Sequence, residues 1–299
     1  MKQELAELQP IMRHEKIPKR KKWITAQLNF YRNNQMAYIG AVIISLFFLI
    51  ALFAPILSPY DPYKIDLSKT MQPPSMDHWF GTDDKGRDVL SRLIYGSRLT
   101  LLVGFASLLF GGTLGTILGV IAGYVGGIID TIIMRVTDVL LAFPGILLAL
   151  AIVSALGPSL MNVAIAVGIF KIPIFIRIVR GTVLSIKNLE YIDAIKSLGA
   201  SHLRIIIKHI FPNILSPIIV QTTLNLATVI LSTAGLSFLG LGAQPPSPEW
   251  GAMLSNARSY FFTAPYLLIF PGLAISFLVL GFNLFGDGLR DALDPRMKK

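Results

Sequence analysis

Charged side chains are absent from five long stretches of this chain, residues 33–60, 99–129, 139–170, 209–248 and 259–286. A spanning helix needs ~20 apolar residues at 1.5 Å rise each, and every one of these runs is long enough. Lipid offers no partner for backbone N–H and C=O groups, so a segment crossing it must be a helix or part of a closed barrel. The alternating ten-residue strands of a barrel are absent. Gly157-Pro158 is a turn signal that divides the third run into spans at about 131–156 and 160–181. The fourth run ends in the Pro/Gly-rich stretch from Gly240 to Pro248. Six helices follow, at about 37–57, 99–123, 131–156, 160–181, 213–235 and 266–286. Composition agrees: 53% of residues are hydrophobic and 15% charged, against roughly 25% charged in a soluble domain. The chain is expected to be an all-α integral membrane protein with six transmembrane helices.

Six spans put both termini on one side. The N-terminal tail, the 124–135 turn, the 177–211 segment and the C-terminal tail hold most of the Lys and Arg. The positive-inside rule therefore predicts cytoplasmic termini. Residues 1–36 read as a basic cytoplasmic tail, too long and mixed in charge for a cleavable signal. Lys19 to Lys22 beside Trp23, Leu28, Phe30 and Tyr31 suggest a helix lying on the inner membrane face; the alternative is a disordered tail that only sets orientation. Residues 37–98 hold the first span and a polar but neutral external loop. Residues 99–299 form a five-helix core with cytoplasmic helices at 188–211.

No chemistry-bearing motif stands out. The chain has no Cys, which removes disulfides, thiolate metal sites and a Cys nucleophile. It contains no phosphate loop, H-E-x-x-H or G-x-S-x-G. His14, His78, His202 and His209 are scattered over both sides. No catalytic, metal or cofactor site is expected in this chain. The net charge of +10 is explained by anionic lipid at the inner leaflet without nucleic acid. If the protein does work, another subunit supplies the energy.

Gly111, Gly115, Gly119 and Gly123, with Gly127 beyond them, recur every four residues and share one helix face. Such a face lets another backbone approach closely. It fits packing within this subunit, a contact between subunits, or a substrate path. Asp130, Arg135 and Asp138 open the third span, and Arg135 and Asp138 are spaced to pair. They read as an anchor at the cytoplasmic end or as part of a polar path. Lys171, Arg177 and Arg180 read as snorkelling anchors. Pro144 and Pro173 predict kinks.

The segment from Asn188 to Pro212 is the most informative. Asn188 is placed to cap a short helix that Gly199 stops, with Glu190 in its first turn. Leu189, Ile192, Ile195 and Leu198 form an apolar face. Ser201 then caps a second helix along the membrane surface, before Pro212 opens the fifth span. The pattern fits either a docking lever or an ordinary amphipathic loop helix. This segment resembles the coupling motif of ABC-importer permeases, E-A-A-x3-G-x9-I-x-L-P. Asp193-Ala194-Ile195 precede Gly199 by the right interval, and nine residues later come His209-Ile210-Phe211-Pro212. Ala194, Gly199 and Pro212 match, Asp193 keeps the charge of Glu, and Ile195, His209 and Phe211 depart. The resemblance implies that Glu190, Tyr191, Asp193, Ala194, Lys196, Leu198, Gly199, Ala200 and Pro212 couple this chain to an ATPase.

A second resemblance narrows the family. His78 to Arg98, containing Gly81, Thr82, Asp83, Gly86, Arg87, Asp88 and Arg92, is similar to the external-loop signature of the dipeptide/oligopeptide permeases of the C type. Asp130, Arg135, Asp138, Phe143-Pro144, the Gly235 to Gly242 stretch and Glu249 to Ala252 resemble the same family. The residues alone suggest a turn and a helix, capped by Thr82 or Asp83, with Arg87, Asp88 and Arg92 pairing on its surface. They fit a folded lid or a surface that receives substrate. The resemblance implies the type I ABC importer permease fold. It also implies a second homologous permease, two ATPase subunits that bind ATP and Mg, and an extracytoplasmic substrate-binding protein. The expected location is a bacterial or archaeal inner membrane, and the expected cargo is a dipeptide or oligopeptide, with nickel or glutathione as alternatives in the family. A self-sufficient secondary transporter would instead show carboxylates near the midplane and repeated halves; neither is visible.

Overall fold

The structure, a computed structural model, describes residues 35–293. The expected interfacial helix around Lys19 to Tyr31 lies outside the described residues. Helix α1 (Gln35–Leu52) is followed after Phe53 by the one-turn α2 (Ala54–Leu57), with Pro55 in its first turn. An extended external loop leads to α3 (Val89–Val125), a 37-residue helix. Then come α4 (Gly127–Ala142), α5 (Gly145–Leu156) and α6 (Leu160–Lys187). The short α7 (Glu190–Ser197) precedes α8 (His202–Ile205), a π turn (Ile206–Ile210) and α9 (Phe211–Phe238). The chain continues through α10 (Trp250–Ala257) to α11 (Tyr266–Leu293). Among the described residues five helices are long and apolar enough to cross a membrane, and α4 with α5 passes the same test only as a bent pair, which makes up to six.

The third span is therefore not the single helix expected at 131–156. Its two halves meet at 92°, because Pro144 cannot donate to the ladder and pushes Phe143 into an extended conformation (φ −93°, ψ 139°). Other boundaries also shift. The second span begins at Val89, inside the polar segment, because Asp88 caps it there. The fourth runs on to Lys187. The second loop helix is not a separate surface element: His202–Phe238 is one continuous run. Pro212 has no N–H to offer, and the π turn absorbs the defect by letting the Phe211 N–H reach the Ile206 carbonyl. The Asn213 side chain donates to the His209 carbonyl at 2.6 Å.

The central contact is between α3 and α6. Gly111, Gly115, Gly119 and Gly123 are buried along it. A Cβ at Gly111 would lie 2.3 Å from the Gly168 carbonyl oxygen, and at Gly115 2.5 Å from the Phe175 Cβ. At Gly119 and Gly123 it would lie 2.8 Å from the Cβ of Val179 and of Val183. Every one of these contacts belongs to the same subunit. Gly127 drops out of the stripe, since it sits beyond the turn at Gly126 with open space around it. A second close approach joins α1 to α11, where a Cβ at Gly40 would lie 2.5 Å from the Phe285 nitrogen. The buried apolar core runs through α3, α6, α9, α10 and α11.

Lys171 is not a snorkelling anchor. With α6 extending to Lys187, it sits ~24 Å along the axis from that end. It is 5% exposed, and its ammonium donates to Asn225 Oδ1 at 3.0 Å and Thr228 Oγ1 at 2.8 Å on α9. Arg135 does not pair with Asp138. The acids of α4 instead cross to α6, Asp130 to Arg180 and Asp138 to Arg177 at 2.7 Å.

Replacing Gly111 with Ala is expected to cost ~1–3 kcal/mol by overpacking. Gly181→Ala, on α6 with nothing near its Cβ, is expected to be neutral or slightly stabilising. Thermal unfolding of the purified complexes checks both; equal melting of Gly111→Ala and wild type would contradict the backbone contact.

Candidate functional site

The two ends of the bundle are built differently. One is a buried polar cap made from the segments 58–92 and 239–265. Asp83 is its centre. Its carboxylate accepts from the Lys85 and Arg87 backbone N–H groups, both at 2.9 Å, and from Arg87 Nε at 2.7 Å, with Arg92 Nε at 3.4 Å. Gly86 must turn here at φ +73° against the Asp66 carbonyl, where no side chain fits. Gly81, at φ +76°, lies against Gln72 and the Tyr266 ring. Thr82 accepts from the Gln72 N–H at 2.9 Å and donates to the Lys69 carbonyl.

Asp88, not Thr82 or Asp83, caps α3. It accepts from the Ser91 N–H and hydroxyl, both at 2.7 Å, and faces His78 Nδ1 at 2.9 Å. Arg87 and Arg92 do not pair with Asp88 on a surface; both turn inward to Asp83 and are 3% and 2% exposed. The guanidinium of Arg92 also donates to the carbonyls of Pro62, Pro246 and Ser247 at 3.0, 3.2 and 3.3 Å. It thereby ties the 58–92 segment to the 239–265 segment. Trp250 Nε1 donates to the Leu93 carbonyl at 2.9 Å, and Phe80 stacks on Phe270 at 3.9 Å. Glu249 caps α10 through the Gly251 and Ala252 N–H groups at 3.0 and 2.9 Å. Burial pushes its carboxyl above the usual range, and those N–H groups oppose the shift.

At the opposite end α7 lies across the tips of α3, α6 and α9. Asn188 does not cap it. Asn188 closes α6, and Leu189 leads into α7 with no side-chain cap. The helix ends in a Schellman motif: the Gly199 N–H bonds the Lys196 carbonyl at 2.9 Å and the Ala200 N–H bonds the Ile195 carbonyl at 3.2 Å. Gly199 has φ +82°, a conformation other residues reach only with strain. Ser201 caps α8 through the Arg204 N–H.

The apolar face of α7 is split. Ile192 is fully buried with Val183, Ile186, Ile205, Ile210 and Ile214, and Ile195 and Ala200 pack against that cluster. Leu189 and Leu198 stay exposed, as do Glu190, Tyr191, Asp193, Ala194 and Lys196. Helical spacing puts Glu190, Ala194 and Ser197 on the side opposite Ile192. Pro212 stands at the start of α9 and is exposed. One element therefore has a side seated on the bundle through Ile192 and Ile195 and an opposite side that is exposed.

Sequence reading missed three features. The Lys171–Asn225–Thr228 cluster joins residues over fifty positions apart, which no local pattern reveals. The role of Glu249 was readable from its place before Trp250-Gly251, a helix start. The Tyr124 hydroxyl contact with His202 Nδ1 at 2.8 Å carries no sequence signal.

Arg92→Lys is expected to open the cap, because an ammonium cannot reach Asp83 and three carbonyls in one plane. Loss of one partner from a buried charge pair costs ~3–5 kcal/mol. Lower melting temperature and faster proteolysis of the 58–88 segment would be the signature; unchanged values for both would refute the staple.

Comparison with known proteins bears on this arrangement. Residues 115–299 match the family model of the binding-protein-dependent transport system inner membrane component. Residues 28–74 match the N-terminal transmembrane domain of oligopeptide transport permease C. The dipeptide transport system permease protein DppC of Alkalihalophilus pseudofirmus is 53% identical, over 89% of this chain and 88% of that protein. The glutathione transport system permease protein GsiD of Escherichia coli O6:K15:H31 is 49% identical, over 90% and 89%. Among solved structures, the MetNI methionine ABC transporter in an inward-facing form matches with a TM-score of 0.55 at 20% identity, covering 69% of this chain and 97% of that one. The chain belongs to the family of binding-protein-dependent transport system inner membrane components, and it is a membrane-embedded permease subunit of an ABC importer.

Proposed function

We propose that this permease carries dipeptides or oligopeptides, forming the path with a second homologous permease and driven by two ATPase subunits. The observation that carries the reading is α7, a helix outside the spans whose inner face is locked and whose outer face is bare. Closure of the ATPases on ATP and Mg would move α7. That movement would pass through the Schellman turn at Gly199 into α8, which is continuous with the π turn and α9 and so with the fifth span. No residue of this chain hydrolyses ATP or holds a cofactor in this scheme. A ligand can shift such an equilibrium only by contacts that differ between the two states; here ATP supplies them through the partner.

The dipeptide and glutathione relatives support a peptide-class cargo, and glutathione, itself a small peptide, is the second reading. The α7 end and both termini would face the cytoplasm of a bacterial or archaeal cell. The cap built on Asp83 and Arg92 would meet the substrate-binding protein outside. The basic residues of the 177–211 segment support this orientation.

The natural chain has no Cys, so single cysteines report sidedness. Met76→Cys, at a site 93% exposed, should react with an impermeant maleimide in intact cells, and Ser197→Cys only after permeabilisation. The reverse pattern would invert the topology.

Coupling is tested with Gly199→Val and Asp193→Lys. The first imposes ~1–3 kcal/mol of backbone strain; the second reverses a charge on the bare flank. Both should assemble with normal stoichiometry. Both should lose most peptide uptake, on the order of tenfold, and lose stimulation of ATP hydrolysis by loaded binding protein. Wild-type uptake and stimulation in both variants would reduce α7 to an ordinary loop helix.

A further inference from the structure

An open groove of about 510 Å³ lies between the end of α3, the end of α6, α7 and α8, lined by Tyr124, Val125, Lys187, Lys196, His202 and Ile206. It is separate from the bare outer face of α7. Its polar lining is all donor or amphoteric, and no carboxylate takes part. Lys187 Nζ uses one N–H on the Tyr124 carbonyl and lies 5.7 Å from the Tyr124 ring; two N–H groups remain. The Lys196 ammonium makes no hydrogen bond or ion pair among the described residues. Glu190 and Asp193 on the same helix form no ion pair with either lysine. Two ammonium groups thus share one groove with no counter-ion.

The rest of the wall is apolar. Val125 and Ile206 line it, and Ile128, Leu203 and Ile207, close to them in the chain, are 72%, 66% and 56% exposed. A small inorganic ion would leave that surface bare. A molecule with an anionic head and hydrocarbon tails would satisfy both parts. The groove also sits where α3 and α6 end, and basic pockets between spanning helices attract anionic lipid headgroups.

We propose that this groove binds the phosphate headgroup of an anionic phospholipid, with Lys187 and Lys196 as its cationic ligands and the acyl chains against Val125 and Ile206. The headgroup would bridge the end of α6 to α7 and so hold the lever against the bundle. Binding itself rests only on the groove; its effect on coupling rests on the function proposed for α7.

Retention of lipid by the detergent-purified complex tests the site by native mass spectrometry, with no reliance on turnover. Phosphatidylglycerol and phosphatidylcholine of equal chain length are titrated, with inorganic phosphate as competitor. Wild type should prefer phosphatidylglycerol. Lys196→Gln removes no contact of the fold and should weaken that preference roughly tenfold. Lys187→Gln with Lys196→Gln should abolish it, and Lys196→Arg should keep it. Millimolar phosphate should displace little lipid. Equal retention of both lipids by wild type, or undiminished preference in the double variant, would overturn the proposal. Full displacement by phosphate would overturn it in favour of a free-phosphate site. Unchanged lipid retention with loss of the ATPase subunits from the double variant would overturn it too, assigning the lysines to that partner. Loss of uptake with normal lipid behaviour in Gly199→Val would bear on coupling alone.

Discussion

Backbone touching backbone between α3 and α6 is the constraint on which the rest of the molecule depends. Lipid does not drive helices together, since its tails are as apolar as the helix faces. Close approach and shape must do it. Four glycines at one spacing let α6 lie in a trough along α3, with the Gly168 carbonyl set into the gap at Gly111. That axis fixes where both helices end. At one end it delivers Asp88 and Arg92 to the polar cap; at the other it delivers Tyr124 and Lys187 to the groove beside α7.

The two ends then follow opposite designs. The outer cap buries charge, and its buried carboxylates and guanidinium groups are partnered: Asp83 with Arg87 and Arg92, Asp88 with His78 and the α3 terminus. Such a network is costly to break and holds one geometry. The inner end buries isoleucines and leaves its polar side chains in solvent. Apolar packing is less directional than a hydrogen-bonded network, so α7 is held firmly but not in a single orientation by chemistry alone. Stiffness at one end and a seated, bare-faced helix at the other are what a permease subunit needs if motion enters from only one side.

Much of this was readable from residues. Uncharged runs located the five long apolar helices and the bent α4–α5 pair, because an element that meets water rarely goes twenty residues without a charge. Gly199 announced a left-handed turn, and Ser201 a helix start, because those requirements are local. Boundaries were less readable. Asp88 capping α3 inside a polar stretch, and the continuity of His202–Phe238 through Pro212, depend on hydrogen bonds that hydropathy does not register. The break at Pro144 was signalled as a bend, but its 92° angle is set by what α4 and α5 pack against. Lys171 was misplaced for a similar reason: its partners Asn225 and Thr228 lie on α9, so only folding brings them together. The apolar face Leu189, Ile192, Ile195 and Leu198 was recognisable as a pattern, whereas its division into buried Ile192 and exposed Leu189 and Leu198 depends on which side chains the helix ends cover.

The π turn at Ile206–Ile210 has a geometric consequence of its own. It adds one residue to a helical run without adding a turn, and each residue of an α-helix advances the azimuth by about 100°. Excising a single residue there would leave hydropathy, charge and composition almost untouched. Because the wide turn already absorbs the extra residue, α8 and α9 would keep their relative facing, whereas the same excision within α9 would turn one flank by about 100° against the other. Chain length between Gly199 and Pro212 can thus change by one residue at the π turn without re-aiming the run, a tolerance that the regular helix beyond it lacks.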